Sequence, residues 1–320
     1  SHLLIDLRAG TAGPHRRFTM RYLLITMFLL ASLPARAALE VLACEPEWGA
    51  LVEELAGDRA RITVATSASQ DPHRVQARPS LISAARRADL VVCTGADLEV
   101  GWLPVLLNKG ANPRIRQAPG LFYAADHVTL VDIPDSVSRS DGDVHAAGNP
   151  HFYMDPRRVL EVGAALSQRL AELDPGNSEA YQAAWAAMQT EWRNSLATLS
   201  ERAAPLKGME VVVHHKNFRY LEEWLSIKAI ASLEPRPGIP PSPGTLQAVL
   251  DTVRDSAAEL VLYTHYNGDD AARWLADHSR LCALELPLTV GAEAGTDTLM
   301  AFYQRLVDDI SRARRECAHE

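Results

Sequence analysis

The stretch from residue 90 reads Leu90-Val91-Val92-Cys93-Thr94 and ends at Gly95. An apolar run closed by a turn residue is typical of a strand buried on both faces. Similar runs occur upstream at Leu39–Ala43 and Ala60–Ala65, with helical segments at Trp48–Leu55 and Pro79–Arg87. Because strands and helices alternate, this part of the chain is predicted to form βα units with a parallel sheet.

A second α/β series begins at residue 210. Between the two series, apolar side chains in residues 174–206 recur at intervals of three and four residues, and this spacing predicts one long helix. We therefore expect an α/β fold with two lobes, each a parallel-sheet α/β sandwich, joined by one long linker helix. The expected ranges are 38–172, 173–207 and 208–320. The predicted elements of the second series are strands Glu210–Val213, Lys228–Ser232, Leu260–Tyr263 and Ala283–Leu286, and helices Arg219–Leu225, Pro243–Arg254, Asp269–His278 and 297–315.

The segment that ends at Ala37 has the pattern of a secretory signal. Met20 and Arg21 precede an apolar run from Leu23 to Leu33, and Ala35-Arg36-Ala37 fits a cleavage site. Residues 1–19 are interpreted as lying upstream of an initiator Met20, and we expect the mature, periplasmic protein to begin near Ala38. No later apolar stretch is long enough to span a bilayer, and no cysteine follows the cleavage site to carry a lipid. The mature protein is therefore expected not to be embedded in the membrane.

The formal net charge is −8 and the isoelectric point is near 5.8, which argues against a nucleic-acid partner because no basic surface is available for phosphates. The acidic balance suits a protein that binds a cation, and we expect a monomer. Four cysteines are too few and too scattered for a disulfide framework, although export allows one or two bridges. Cys44 and Cys93 lie in strand-like runs and are expected to be buried small residues rather than bonded partners.

Three histidines occupy short, distinctive settings far apart in the chain. His73 ends Asp71-Pro72-His73, His151 ends Asn149-Pro150-His151, and His215 follows the strand predicted at 210–213. Ligands in α/β proteins bind beyond the carboxyl ends of strands, where loops from both lobes can meet. A single histidine is more often an ordinary polar residue, but this trio favours a metal site between the lobes.

With these motifs, the chain resembles the solute-binding components of zinc and manganese ABC transporters. The resemblance covers nearly all of residues 39–312 in the family's order, and implies two lobes joined by a rigid helix with a metal ion clamped between them. It also implies delivery to an ABC permease and its ATPase. The motifs that carry the resemblance are Asp71-Pro72-His73 with Arg78-Pro79-Ser80, Asn149-Pro150-His151 with Asp155-Pro156, the segment from His215 to Tyr220, and the segment from Glu234 to Ser242.

The resemblance places His73, His151 and His215 on three ligand positions. His215 is preferred to His214, because the family's ligand stands directly before the pattern x-x-aromatic-x-Tyr. The fourth ligand is usually an aspartate, but Leu286 stands at roughly that position here.

Three candidates remain for the fourth position. His265, at a predicted strand end, is the first candidate. Glu285 is the second, although its place in an apolar strand also suits a structural ion pair, and a water molecule is the third. His145 lies in a loop where zinc-specific relatives often carry a histidine-rich stretch. It is expected to be exposed, with a transient contact to metal as the alternative.

Nitrogen ligands favour Zn²⁺ as the transported ion, because Mn²⁺ sites take more carboxylate oxygen. A manganese- or iron-specific protein of the same type and a periplasmic metallochaperone remain as alternatives. Three histidines plus a water would also suit a zinc hydrolase, but the sequence contains neither H-E-x-x-H nor G-x-S-x-G. We therefore expect a binding protein and not an enzyme.

Overall fold

The structure is a computed structural model that describes residues 38–135 and 145–318. The predicted signal segment lies outside the described residues, as do residues 136–144 of the loop that leads to His151.

The first lobe is built on a parallel sheet in the order β2-β1-β3-β4. Side chains of β1 and β3 alternate between two apolar clusters: Val41 and Val92 face one, while Leu42 and Val91 face the other. Burial on both faces explains why these strands are apolar throughout. The elements are β1 (Leu39–Ala43), α1 (Pro46–Ala56), β2 (Ala60–Val64), α2 (Pro79–Arg87), β3 (Leu90–Cys93), α3 (Leu103–Gly110) and β4 (Leu121–Tyr123).

The second lobe repeats this topology, with a parallel sheet in the order β6-β5-β7-β8. In both sheets the chain leaves the first strand toward one edge and then crosses back to its other side. In open α/β sheets, crevices that bind ligands form at the carboxyl ends of the strands at such a switch point. The elements are β5 (Glu210–Val213), α6 (Arg219–Leu225), β6 (Lys228–Ser232), α7 (Pro243–Arg254), β7 (Ala258–Tyr263), α8 (Asp270–Asp277), β8 (Cys282–Glu285) and α9 (Leu299–Cys317).

Two helices connect the sheets, α4 (Pro156–Leu173) and the 26-residue α5 (Ser178–Ala203). Trp192 on α5 contacts both lobes: its indole nitrogen donates to Glu54 on α1 at 2.7 Å, and its ring lies 5.8 Å from that of Tyr303 on α9. One apolar cluster includes residues of β1, β3, β5, β7, α4, α5 and α9, so the lobes share a core. The predicted two-lobe fold with a long connecting helix is confirmed.

Three elements were absent from the sequence prediction: β4, α3 and α4. Strand β4 has only three residues, too few for a hydrophobic period to be visible, and Pro104 interrupts the start of α3. Helix α4 begins at Pro156, where the motif Asp155-Pro156 had been assigned to the family resemblance and not to a helix start. Asp155 caps this helix by accepting a hydrogen bond from the backbone of Arg157 at 2.9 Å.

The prediction that Cys44 and Cys93 are unbonded was wrong. Both side chains are fully buried, but they form a disulfide, and Cys282 pairs with Cys317. Strands β1 and β3 are neighbours in the sheet and end at the same edge, which brings the first pair together. The second bond joins β8 to the end of α9.

Among the described residues, no helix combines the length and the apolar character needed to cross a membrane.

Candidate metal centre

Four histidine rings gather where loops of the two lobes meet. The ring centroid of His73 lies 5.2 Å from that of His145, 5.8 Å from that of His151 and 6.3 Å from that of His215. His151 and His215 are 5.6 Å apart. The structure therefore brings the three histidines of the sequence motifs together and adds His145 to them.

His73 is held by its own loop. Asp71 Oδ1 accepts hydrogen bonds from the backbone N–H of His73 at 3.0 Å and from its ring Nδ1 at 2.7 Å. Trp102 donates to the carbonyl of Pro72 at 3.0 Å, which fixes the same loop against the first lobe. With Nδ1 occupied by Asp71, Nε2 of His73 is the nitrogen that faces the other rings.

His215 is held in the same way by a carboxylate of the second lobe. Its Nδ1 lies 2.7 Å from Oε2 of Glu234, and this oxygen also accepts the backbone N–H of Gly238 at 2.8 Å. Both partners are nearly buried, the side chain of His215 being 7% exposed and that of Glu234 9%. A carboxylate on Nδ1 fixes the tautomer and raises the basicity of Nε2 toward a metal.

His145 is supported by a tight turn after β3. Gly95, Ala96 and Asp97 have φ values of 80°, 50° and 66°, and backbone groups of Ala96 and Asp97 hydrogen-bond the ring of His145. Positive φ values are uncommon for residues other than glycine, so three in a row that include Ala96 and Asp97 are unusual. Glu99 holds the turn by accepting the backbone N–H groups of Thr94 at 2.7 Å and Gly95 at 3.0 Å.

His151 is 1% exposed, and its backbone N–H donates to Asn149 Oδ1 at 3.0 Å. Neither of its ring nitrogens has a hydrogen-bond partner among the described residues. Buried polar atoms are almost always paired, so an imidazole with two unpaired nitrogens in a cluster of imidazoles requires an explanation. A cation bound by one of the two nitrogens would account for that nitrogen.

The rings of His145 and His151 favour the neutral form. Burial, with the neighbouring histidines as a second cause, lowers the pKa of His145 to about 4. The same causes hold the pKa of His151 well below its usual range. A metal ligand must be deprotonated, so these rings present lone pairs at neutral pH without prior loss of a proton.

One pair in the cluster has the spacing of two nitrogens bound to a single zinc ion. The Nε2 atoms of His73 and His145 are 3.1 Å apart. Two nitrogens on a tetrahedral zinc are about 3.3 Å apart, because each Zn–N bond is about 2.0–2.1 Å. The centroids of the other measured pairs lie further apart than those of His73 and His145. Among the described residues, no three of the four histidines have ring nitrogens that all lie within 4.8 Å of one another, so one ion held by three or four of them requires the rings to move closer.

The other candidates for the fourth position lie elsewhere. The side chain of His265 is 74% exposed, and its Nδ1 lies 3.4 Å from the carboxylate of Glu285. Leu286, at the position of the usual aspartate, is buried and 1% exposed. In the part of the chain that the structure describes, the one set of three potential ligand atoms within 4.8 Å of one another belongs to Cys44, Cys93 and Glu99, and the two sulfurs of this set are bonded to each other.

Two parallel α/β lobes that share a core and meet over a cluster of imidazoles define the class, a solute-binding protein of the metal-transporter type. The chain belongs to one family of this class, zinc-uptake complex component A, periplasmic, which matches residues 41–313.

Individual relatives include proteins named for different metals. The high-affinity zinc uptake system protein ZnuA of Paracoccus denitrificans is 25% identical over 262 residues, covering 71% of this chain and 77% of that protein. The manganese-binding lipoprotein MntA of Halalkalibacterium halodurans is 23% identical over 213 residues, covering 65% of this chain and 64% of its own.

Solved structures show the same fold. A crystal structure of ZnuA matches with a TM-score of 0.73 at 22% identity, covering 87% of this chain and 99% of that one. A Mn-bound periplasmic metal binding protein from Candidatus Liberibacter asiaticus matches with a TM-score of 0.70 at 19% identity, covering 86% and 98%.

Proposed function

We propose that this protein captures Zn²⁺ in the periplasm and delivers it to the permease and ATPase of an ABC importer. His73, His145, His151 and His215 hold the ion, and His145 takes the fourth position in place of His265. The protein acts by binding and release and performs no chemical step.

The observation that carries this proposal is the donor set of the cluster. Nε2 of His73 and Nε2 of His145 face each other at 3.1 Å, beside His151, whose ring nitrogens lack partners among the described residues. Two further nitrogen donors would then complete a site of four imidazoles. The nearest carboxylates, those of Asp71 and Glu234, bind the outer Nδ1 atoms of His73 and His215.

This arrangement favours zinc over manganese. Imidazole nitrogen suits Zn²⁺ in a four-coordinate site, whereas Mn²⁺ prefers more oxygen ligands and a higher coordination number. The chain is similar to relatives named for zinc and to relatives named for manganese, so the argument for one metal depends on the residues of this chain. Four nitrogen donors, with the carboxylates held outside them, point to zinc.

The direct test is the metal content and affinity of the chain from Ala38 onward. Metal-free protein is titrated with Zn²⁺ against a chromophoric chelator, and Mn²⁺ is then added in large excess. We expect one tightly bound zinc per chain that manganese does not displace. A tightly bound manganese that excludes zinc would contradict the proposal, and so would the absence of any tight site.

A further inference from the structure

A cavity of about 660 Å³ lies beside the histidine cluster. Its volume falls within the range of about 300–1,000 Å³ that small-molecule sites occupy. Asp71 and Arg74 contribute to its wall from the first lobe, and the remaining lining residues belong to the second lobe. The cavity therefore adjoins the two carboxylates that support His73 and His215, but none of the four clustered histidines lines it.

Two buried polar atoms of residues that line this cavity are not satisfied by the described residues. Nδ1 of His214 has no hydrogen-bond partner, although the residue is 4% exposed. The hydroxyl of Tyr266 makes no hydrogen bond of good geometry, although the side chains of Thr264 and Asn267 lie near it. Unsatisfied buried groups that line one cavity indicate a ligand with complementary polar groups.

The groups that line the cavity are mostly hydrogen-bond acceptors. Asp71 uses Oδ1 for both of its bonds to His73, and Glu234 uses Oε2 for His215 and Gly238, so each carboxylate keeps a second oxygen. Asp270 adds a third carboxylate, against the single guanidinium of Arg74. An imidazole nitrogen without its proton is also an acceptor. The ligand must therefore be rich in donors and positively charged.

The separation of these acceptors suits an organic cation that carries several donors. The closest carboxylate oxygen of Glu234 lies 3.9 Å from Nε2 of His214. A guanidinium presents several N–H groups in a planar fork and spans separated acceptors.

The apolar part of the wall suits an aliphatic stem. Pro240, Pro241, Leu246 and Trp274 line the same cavity. Methylene groups of arginine-like cations pack on apolar surfaces while the charged head reaches polar groups, and aromatic faces attract cations.

We propose that this cavity binds an organic cation, a guanidinium on an aliphatic stem, with its head between Asp71, Glu234 and Tyr266 and its stem along Pro241 and Trp274. The site is distinct from the histidine cluster and does not depend on which metal the cluster takes.

Occupation of the cavity has a consequence for metal binding, and this consequence rests on the function proposed above. A carboxylate that also accepts hydrogen bonds from a guanidinium is a weaker acceptor for the Nδ1–H of its histidine. Because Asp71 and Glu234 serve both sites, the cation should lower zinc affinity, and zinc should lower cation affinity by the same factor.

The test is a calorimetric titration of the zinc-loaded protein with butylguanidinium, with the neutral and isosteric butylurea as the control. We expect a dissociation constant for butylguanidinium of about 1 mM or lower, and binding of butylurea at least about ten times weaker. Agmatine and the peptide acetyl-Gly-Arg-Gly-amide are titrated next. Tighter binding of agmatine would identify a free cation as the ligand, and tighter binding of the peptide would identify a protein side chain.

Two variants locate the site. Asp270→Asn removes a carboxylate from the cavity wall and should weaken butylguanidinium binding about threefold or more, without changing zinc affinity. Asp269→Asn is the matched control, because Asp269 pairs with Arg273 and does not line the cavity. Equal binding of butylguanidinium and butylurea, or equal binding by the wild type and Asp270→Asn, would overturn the cation site. These outcomes leave the zinc proposal untouched, since zinc content is measured separately.

Discussion

Nε2 of His145 lies 3.1 Å from Nε2 of His73, although 72 residues separate them in the sequence. Two imidazole nitrogens approach this closely when a proton lies between them or when both face the same cation. The pKa of His145 is lowered to about 4, mainly by burial, so its ring is neutral at neutral pH and keeps a single N–H, which can bridge the two nitrogens. A zinc ion bound here would take the place of that proton, so the contact marks the proposed zinc position.

Replacement of His145 by alanine is predicted to weaken zinc binding by about 100-fold or more, because a metal-bound nitrogen is lost. His265→Ala is the matched control, since its exposed ring pairs with Glu285. Competition titration with a chelator measures both, and the visible spectrum of the Co²⁺-substituted protein reports the number of nitrogen ligands. The opposite pattern, with His265→Ala weakened and His145→Ala unchanged, would transfer the fourth position to His265.

The contrast between these two histidines shows where sequence reasoning reached its limit. His265 follows β7 at the carboxyl edge of the sheet, where the strand-end rule places ligands. A short turn, His265–Asn267, follows at once, closed by reciprocal bonds between Thr264 and Asn267. The exposed ring of His265 pairs with Glu285. Residue spacing predicts that His265 lies at the edge of the sheet. It does not predict in which direction the following turn orients its side chain.

His145 presents the reverse case. In the sequence it is a single histidine after a run of Ser, Asp and Gly, which is typical of exposed loops. Its position depends on backbone groups of Ala96 and Asp97, about fifty residues upstream, in a turn with positive φ values. Nothing local in the sequence encodes that contact. The strands other than the three-residue β4, by contrast, were predictable from short runs with their own turn signals, and β1, β5 and β6 have the predicted bounds.

Glu234→Gln should weaken zinc binding by about 10- to 100-fold while leaving the stoichiometry at one. The amide oxygen of glutamine can still accept the Nδ1–H of His215, but it lacks the charge that raises the basicity of the ring. Glu285→Gln is the control, because Glu285 contacts the exposed His265. Chelator competition at fixed pH measures both variants. An unchanged affinity in Glu234→Gln would mean that the carboxylate is not a support of the site.

The stability of the metal-free protein should fall as the pH rises from 5 to 8, partly because of Glu47. Burial raises the pKa of this carboxyl from 4.5 to about 7, although the hydrogen bond from Thr289 at 2.6 Å opposes the shift. A pKa that is higher in the folded state gives stability below the unfolded value of 4.5, and this contribution is lost as the pH rises through 7.

Glu47→Gln removes this dependence, because glutamine does not ionise and can still accept the Thr289 hydroxyl. Relative to wild type, the variant should gain about 2 kcal/mol in the free energy of unfolding between pH 5 and pH 8. Urea unfolding at the two pH values measures the difference. Equal changes in wild type and variant would contradict the raised pKa.

The Cys282–Cys317 disulfide is predicted to stabilise the second lobe without supporting the metal site. It joins β8 to the end of α9 across 35 residues. Loss of this bond raises the conformational entropy of the unfolded chain, which lowers the free energy of unfolding by about 4 kcal/mol. The Cys282→Ser/Cys317→Ser double variant should therefore unfold at lower urea concentration and keep its zinc affinity. A large loss of zinc affinity in a variant that remains folded would show instead that this bond reaches the histidine cluster.

Tyr220 connects the second lobe to the segments on both sides of residues 136–144. Its hydroxyl donates to the carbonyl of Asn149 at 2.7 Å and accepts the backbone N–H of Val131 at 3.0 Å. Asn149 in turn accepts the backbone N–H of His151 and donates to the carbonyl of Lys216 at 2.8 Å, so this network fixes His151 and the loop after His215.

Tyr220→Phe should cost about 1–3 kcal/mol in the free energy of unfolding, because it leaves a buried N–H and a carbonyl without their partner. It should also weaken zinc binding about three- to tenfold, since His151 loses part of its support. Tyr181→Phe is the matched control: it removes a buried hydroxyl that donates to Asp174 at 2.9 Å, at the start of α5 and away from the histidines. We expect that control to lose stability and keep its zinc affinity. Equal zinc affinities in the two variants would mean that the contacts of Tyr220 hold the lobes together but do not position the metal ligands.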